Sequence, residues 1–596
     1  MLAISLNEAV HLRSRVEVAA RAEKLTFVRV ALVLLFFLGA SAGVSSAQTF
    51  TTQHNFCSQS GCVDGAFPYT MTLIQGADGN FYGTTTQGGS HNGGTVFKMT
   101  PDGTLTALYN FCSKFKSRAC KDGFGPPTGL VQGPNGDLYG TTEFGGAFST
   151  QDNYSMGSVF KLTPGGKLTT LHSFCADPSC TDGQDPYAGL VLASDGNLYG
   201  TTAGGGANSF GTIFRVTPTG NFTSLYSFCS DHYCPEGIEP FGTLIQASNG
   251  NFYGTTTGGG GYEAGTVFEF TLAGQLTTLY SFGAGGPVDE GGPYDGLIQA
   301  PDGNFYGTTG GSLCTSVNCG TIFKITPDGN FTNLYTFCAQ AGCSDGATPT
   351  AGLIQATDGN LYGTTTVGGA GNQGTVFEIT PASQLTTLYN FCTQQDCPDG
   401  KSPFGGLLQA TDGNFYGTTY QGGSNFSGTV FKVSTGLGPF VRATPNSGKV
   451  GAKVSILGTN LNGATSLSFN GTAASFTVVS SSQITTKVPA GATTGTVTVT
   501  TPGNGTLNSN VAFRVTPQIK SFSPTSGPVG TQVKIKGVSL TQTSAVTFGG
   551  VAATQVVVNS DKQLTATVPQ GALTGPIAIT TPGGTTASAA SFTVTP

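Results

Sequence analysis

Six acidic residues stand directly before a glycine and shortly after a cysteine: Asp64, Asp122, Asp182, Glu236, Asp345 and Asp399. Asp289 lies near the same place in a segment that has lost the cysteines. Carboxylates repeated in this way could form a charged ring that attracts Ca²⁺ or a basic ligand. A pair of them could also do general acid/base work on a glycan, but seven equivalent acids single out no pair. The plainer reading is that each caps a turn through its side chain, and a motif that comes with every repeat favours it.

Fourteen cysteines form seven close pairs. Five have four intervening residues: Cys57/Cys62, Cys175/Cys180, Cys229/Cys234, Cys338/Cys343 and Cys392/Cys397. Cys112/Cys120 is a longer version, and Cys314/Cys319 sits elsewhere in its repeat. Zinc would need tighter spacing and a second pair or a histidine, so local disulfides are expected. Where Gly283 replaces the first cysteine the second is missing too, as a disulfide requires.

Loop aromatics that differ from repeat to repeat, namely Phe144, Phe148, Tyr154, Phe210, Tyr262 and Phe426, could stack on sugars or simply cover an edge. His54, His91, His172 and His232 are scattered, which argues against a histidine metal site or triad. The glycine-rich run "QGGSHNGG" lacks the lysine and following helix of a phosphate loop. No catalytic residue is assigned.

The elements that would position these groups come from a repeat. "YGTT" recurs at Tyr82, Tyr139, Tyr199, Tyr253, Tyr306, Tyr362 and Tyr416. Each copy follows an apolar "GLIQ"-like run and an "xDGN"-like turn, and precedes a Gly-rich loop, "GTVFKxT", a "PDG"-like turn and "LTxLYxFC". Four short β-patterned runs per unit of about 55 residues predict a propeller blade. The seventh unit stops after "GTVFKV", and its missing run stands at the start as "TTQHNFC", Thr51 to Cys57. An N-terminal strand closing the last blade is therefore expected, giving seven blades over residues 50–435. In a four-stranded meander the Gly-rich and cysteine loops share one face, where binding would be built.

Before the repeat, Lys24 and Arg29 precede the apolar run "VALVLLFFLGA" and the small residues "SSA", which predicts a signal peptide over 1–47. An uncleaved anchor is the alternative, but the run is about half a bilayer span. Cleavage leaves 20 basic and 28 acidic residues, and no basic cluster that would bind nucleic acid. After Pro439 the composition turns to Val, Thr and Ser. "TPNSGKVGAKVSILGTNL" then matches "SPTSGPVGTQVKIKGVSL" further on, predicting two β-sandwiches, 439–516 and 517–596.

The pattern P-x-S-G-x-x-G-x-x-V-x-I-x-G-x-x-L in both copies resembles the IPT/TIG immunoglobulin-like domain, which in exported bacterial proteins implies a spacer or adhesion module. Through "DGNFYGTT", "GTVFKxT" and "LYxF" the propeller repeats resemble the GloVer tandem repeat of exported bacterial proteins. That resemblance implies an extracellular location and supplies no catalytic residues. The expected protein is all-β, a seven-bladed β-propeller followed by two immunoglobulin-like sandwiches. It is extracellular or on the cell surface, with the periplasm as the other exported compartment. The expected partner is a polysaccharide or a cell-surface protein, met by a monomer with no transmembrane span after cleavage and no nucleic acid. No cofactor is expected, Ca²⁺ on the acid ring being the weaker alternative. A secreted lyase or hydrolase acting on carbohydrate is the alternative to a non-catalytic binder.

Overall fold

The computed structural model describes residues 48–116, 119–148, 156–284, 291–310 and 319–596. The expected signal peptide over 1–47, Tyr154, Asp289 and Cys314 lie outside the described residues. Seven four-stranded antiparallel sheets form the blades of a propeller. Blade 1 runs outward from the axis through Ile74–Gln75, Phe81–Thr85, Thr95–Met99 and Leu105–Asn110. The inner strands of blades 2 to 7 begin at Val131, Val191, Ile245, Ile298, Ile354 and Leu408. Blade 7 takes its outermost strand, Thr49–Asn55, from the beginning of the chain and pairs it with Thr429–Ser434. The Phe56 N–H donates to Gly428 O (3.0 Å), and Phe50 stacks on Tyr389 with ring centroids 3.8 Å apart.

Each letter of "YGTT" has a physical job. The tyrosine ring crosses to the next blade: Tyr199 meets Phe252 at 4.3 Å, Tyr253 meets Phe305 at 4.2 Å, and Tyr416 closes the ring on Phe81 at 4.3 Å. The glycine leaves room for the phenylalanine of the neighbouring strand. A Cβ on Gly254 would lie 2.6 Å from Phe268 Cζ and 2.7 Å from Leu244 Cδ2. The first threonine donates from Oγ1 to a backbone carbonyl of the following blade, from Thr84 to Thr128 O (2.8 Å) round to Thr418 and Met71 O (3.4 Å). The second shares a hydrogen bond with the threonine or serine that opens the third strand, as Thr202 does with Thr212 (2.8 Å). These hydroxyls are buried, so each needs its partner.

The glutamine of "LIQ" adds another inter-blade bond. Gln132, Gln246, Gln299, Gln409 and Gln75 each accept an N–H from the preceding blade's inner turn, at 2.8–3.1 Å. The pattern lapses where the chemistry forbids it: blade 3 has Leu192, and Gln355 faces Pro301, which has no N–H.

Each sandwich has two main sheets, the first adding a short parallel pair of Ser447–Gly448 with Arg514–Val515, and each has its own apolar core, built around Ile456, Phe469 and Phe513 in the first and Ile535, Phe548 and Phe592 in the second. The first is docked on the propeller. Arg442 Nη2 donates to Gln409 O (2.8 Å), Arg514 Nη1 donates to Ala247 O (3.2 Å), and Thr411 shares a hydrogen bond with Thr459 (3.0 Å). A Cβ on Gly79 would meet Ser482 at 2.7 Å. Blades 1, 4 and 7 are thus touched at their inner turns, on opposite sides of the axis, so this sandwich lies across the axis on the turn face. Burial lowers the pKa of both arginines. The second sandwich is tied to the first through Gln542, which exchanges hydrogen bonds with the backbone of Thr494 (2.7 and 3.2 Å). Among the described residues no helix is long and apolar enough to cross a membrane.

Candidate functional site

On the loop face the acid of each cysteine loop is held inside its own turn. Asp64 accepts from the N–H and Oγ of Ser58 (3.0 and 2.7 Å) and contacts His54 Nε2 (3.2 Å). Asp122 accepts from Tyr109 and from the N–H groups of Ser113 and Lys114 (2.7–3.2 Å). Asp182 holds His172 (2.9 Å) and the Cys175 N–H (2.9 Å). Glu236 holds Tyr226 and the Ser230 N–H, Asp345 holds Tyr335 and the N–H groups of Ala339 and Gln340, and Asp399 holds Tyr389 and the Cys392 N–H. His54 and His172 therefore do the work that Tyr109, Tyr226, Tyr335 and Tyr389 do in the other described loops. These six carboxylates do not converge into an open ring of charge, because backbone donors and a phenol or imidazole draw each one inward.

The loops themselves are closed by disulfides at Cys57–Cys62, Cys112–Cys120, Cys175–Cys180, Cys229–Cys234, Cys338–Cys343 and Cys392–Cys397. Among the described residues the one cluster with metal-ligand types is Cys319, Cys338 and Cys343, and all three are disulfide-bonded. The variable loop aromatics stay apart. Phe144 stacks on Phe124 (5.2 Å), while Phe148, Phe210, Tyr262 and Phe426 are exposed in the loops of separate blades.

What converges instead is the segment entering each inner strand. It reads Pro-aromatic in five blades, placing Tyr69, Tyr187, Phe241, Tyr294 and Phe404 around the axis at the loop-face end. Below this collar lies a cavity of about 620 Å³ lined by all seven blades. Its wall combines Ile and Leu of the inner strands with Thr70, Thr72, Thr128, Thr243, Thr348 and Thr350. The hydroxyls of Thr128 and Thr350 have no protein partner. Tyr69 meets Phe404 at 5.0 Å and Tyr187 at 6.3 Å, and Tyr187 meets Phe241 at 5.0 Å. Tyr420 of blade 7 completes this arc against Tyr69 (5.2 Å). The collar is interrupted at Pro127, where the Tyr69–Tyr187 contact bridges the gap, and at Thr350, between the partly exposed Tyr294 and Phe404.

Three carboxylates belong to this region. Asp295, in blade 5, reaches blade 6: its oxygens accept the N–H groups of Gly296 and Gly352, each at 2.7 Å. It lies deep in the molecule with part of its surface on the cavity, and burial raises its pKa against the pull of those N–H groups and of the Thr243 N–H. A Cβ on Gly352 would lie 3.2 Å from this carboxylate, so the small residue permits the approach. Glu143 and Asp185 flank the collar beside Tyr187. Burial pushes Glu143 up to about 7, with the negative charge of Asp185 adding to the effect. Burial likewise pushes Asp185 up to about 6, opposed by a hydrogen bond from Gln184. Asp185 Oδ1 has no hydrogen-bond partner. The residue also holds a left-handed backbone (φ 53°), a conformation shared at this position by Phe67, Glu239, Thr348 and Ser402. The Tyr187 hydroxyl is pushed well up by burial, Tyr69 and Glu143 contributing.

Sequence reasoning missed this site. The available signal was the dipeptide Pro-Tyr/Phe five residues before the "IQ" end of the inner strand, at Pro186, Pro240, Pro293 and Pro403, and one residue further off at Pro68.

The chain matches the model of the Gloeobacter/Verrucomicrobia repeat over residues 42–177, 146–356 and 318–552, and that of the IPT/TIG domain over 517–594. No curated protein matches the sequence. Among solved structures, a surface glycan-binding protein from Prevotella bryantii is 17% identical, with a TM-score of 0.20. The match covers 25% of this chain and 38% of that one, so this chain spans well under half the length of that protein. A putative 6-phosphogluconolactonase from Bacteroides uniformis is 15% identical, covering 53% and 83% of the two chains with a TM-score of 0.35. A fungal alcohol oxidase in complex with copper is 14% identical, covering 76% and 98% with a TM-score of 0.38.

Proposed function

We propose, for a chain that belongs to the Gloeobacter/Verrucomicrobia repeat family, an exported, non-catalytic binding protein whose axial cavity holds part of a polysaccharide. The observation that carries this reading is the collar of Tyr69, Tyr187, Phe241, Tyr294 and Phe404 above a cavity rich in threonine. Sugar rings present apolar faces that stack on aromatic side chains and hydroxyls that exchange hydrogen bonds with groups such as Thr128 and Thr350 Oγ1. The cavity volume falls within the range of small-molecule pockets. Short-range disulfides fit an oxidising compartment. With the first sandwich packed against the turn face, the loop face is left for ligand, and a spacer role falls to the second sandwich.

The test is a glycan array followed by titration calorimetry, using the full chain and Tyr294→Ala and Phe404→Ala variants. Specific binding that weakens at least tenfold in both variants is expected. Absence of any retained glycan, or full binding by both variants, sinks the reading.

A second reading rests on Glu143 and Asp185, whose raised pKa values beside the collar suit general acid/base chemistry on a carbohydrate. Mass spectrometry of glycans incubated with the protein separates the two. Turnover that Glu143→Gln abolishes would replace binding by catalysis.

A further inference from the structure

Asp295 is singular among the repeats. At the position of Asp295, three residues before the inner strand, blades 1, 2, 3, 4, 6 and 7 carry Met71, Thr128, Ala188, Gly242, Ala351 and Gly405. Those blades form the same inner strand without a carboxylate, so the fold does not require one there. The backbone N–H groups that act on Asp295, those of Gly296, Gly352 and Thr243, carry no net charge, and among the described residues no Lys, Arg or His lines the cavity, so its charged form lacks a counterion. A charge kept away from water with no partner is costly, and the cost is offset by an opposite charge brought close to it. The walls nearest the opening are aromatic faces, which attract cations in their own right. Glu143, Asp185 and Glu239 add negative charge on the same face, at or beside the segments that lead into the collar.

We infer that the cavity selects an organic ammonium group, seated between the Asp295 carboxylate and the aromatic collar. This inference rests on the glycan-binding reading and names its ligand class: a polysaccharide whose sugars bear free amines, rather than a neutral or acidic one. A uronic acid would be repelled by the same carboxylates, and an N-acetylated sugar would leave Asp295 without a counterion. The gap at Thr350, between Tyr294 and Phe404, is the way in. A quaternary ammonium such as choline shares the recognised chemistry, and the test separates the two sources.

The experiment is titration calorimetry of the full chain at pH 6.5 with four probes: a glucosamine oligomer, its fully N-acetylated counterpart, a neutral cello-oligosaccharide and choline chloride. The glucosamine oligomer is expected to bind at least tenfold more tightly than the N-acetylated one. Added salt should reduce that preference, and Asp295→Asn should abolish it. Thermal unfolding verifies that the variant is folded, and if it is not, the four-probe comparison on the unaltered chain decides. Equal or tighter binding of the N-acetylated or neutral oligomer overturns the ammonium inference and leaves the glycan reading standing. Choline bound with no oligomer supports the ammonium site and overturns the glycan reading. Binding of none of the four overturns the ammonium inference, and silence on the glycan array as well removes the glycan reading with it. A folded Asp295→Asn variant that keeps the preference also overturns the inference.

Discussion

Replacing Glu143 by glutamine should make this protein more stable at alkaline pH. The native site pushes the Glu143 carboxyl from its ordinary 4.5 up to about 7, and Asp185 from 3.8 up to about 6. Each acid thus holds its proton more tightly folded than unfolded. The native state binds more protons across this window, and stability falls as pH rises from about 4 to 7. For Glu143 the full difference corresponds to about 3 kcal/mol. Both side chains keep part of their surface in water, and screening there reduces the cost to about 1–2 kcal/mol at pH 8. Unfolding entropy of about 2.1 cal/mol/K per residue gives a propeller of this size roughly 0.8 kcal/mol per degree. Glu143→Gln should therefore melt about 1–2 °C higher than the unaltered chain at pH 8, and at the same temperature at pH 4. Asp185→Asn should behave alike over a window about one pH lower. Since part of the effect is their mutual repulsion, the double variant should gain less than the two single gains together. Calorimetric melting at pH 4, 6 and 8 measures all of this. A Glu143→Gln variant that is destabilised equally at pH 4 and pH 8 would refute the reasoning.

Phe56→Ala removes a fully buried ring at the junction of blades 7 and 1 and should cost about 3–5 kcal/mol in chemical unfolding, whereas Phe426→Ala, on an exposed loop, should cost under 0.5 kcal/mol. Gly254→Ala pushes a methyl into the buried Phe268 and Leu244 and should cost about 1–3 kcal/mol, a loss absent from Gly261→Ala, where nothing lies within 4 Å. Asp345→Ala leaves the Ala339 and Gln340 N–H groups and the Tyr335 hydroxyl without their acceptor. A loss of about 1–3 kcal/mol is expected, with faster amide exchange confined to the Cys338–Cys343 loop.

Much of the architecture is legible because it is written seven times. The interblade role of tyrosine in "FYGTT", the paired cysteines and the strand borrowed from Thr51 to Phe56 each follow from comparing one repeat with the next. The acids of the cysteine loops were readable only as alternatives. Asp122 alone carries no sign of whether it faces solvent or the N–H groups of Ser113 and Lys114. The docking arginines were invisible, since Arg442 and Arg514 are isolated basic residues in a Val/Thr-rich stretch and acquire their partners only when blades 7 and 4 bring Gln409 O and Ala247 O beneath them.

By itself, then, the sequence determined the blade, its number and its closure, because strand alternation and turn chemistry act over a few residues and repetition averages out the exceptions. The candidate site came from the exceptions. Glu143, Asp185 and Asp295 stand in blades 2, 3 and 5, each at a position where most repeats carry something neutral. No local pattern relates them to one another. Only closing the ring brings seven inner strands to one axis, where a single unmatched carboxylate and five aromatic rings share a cavity.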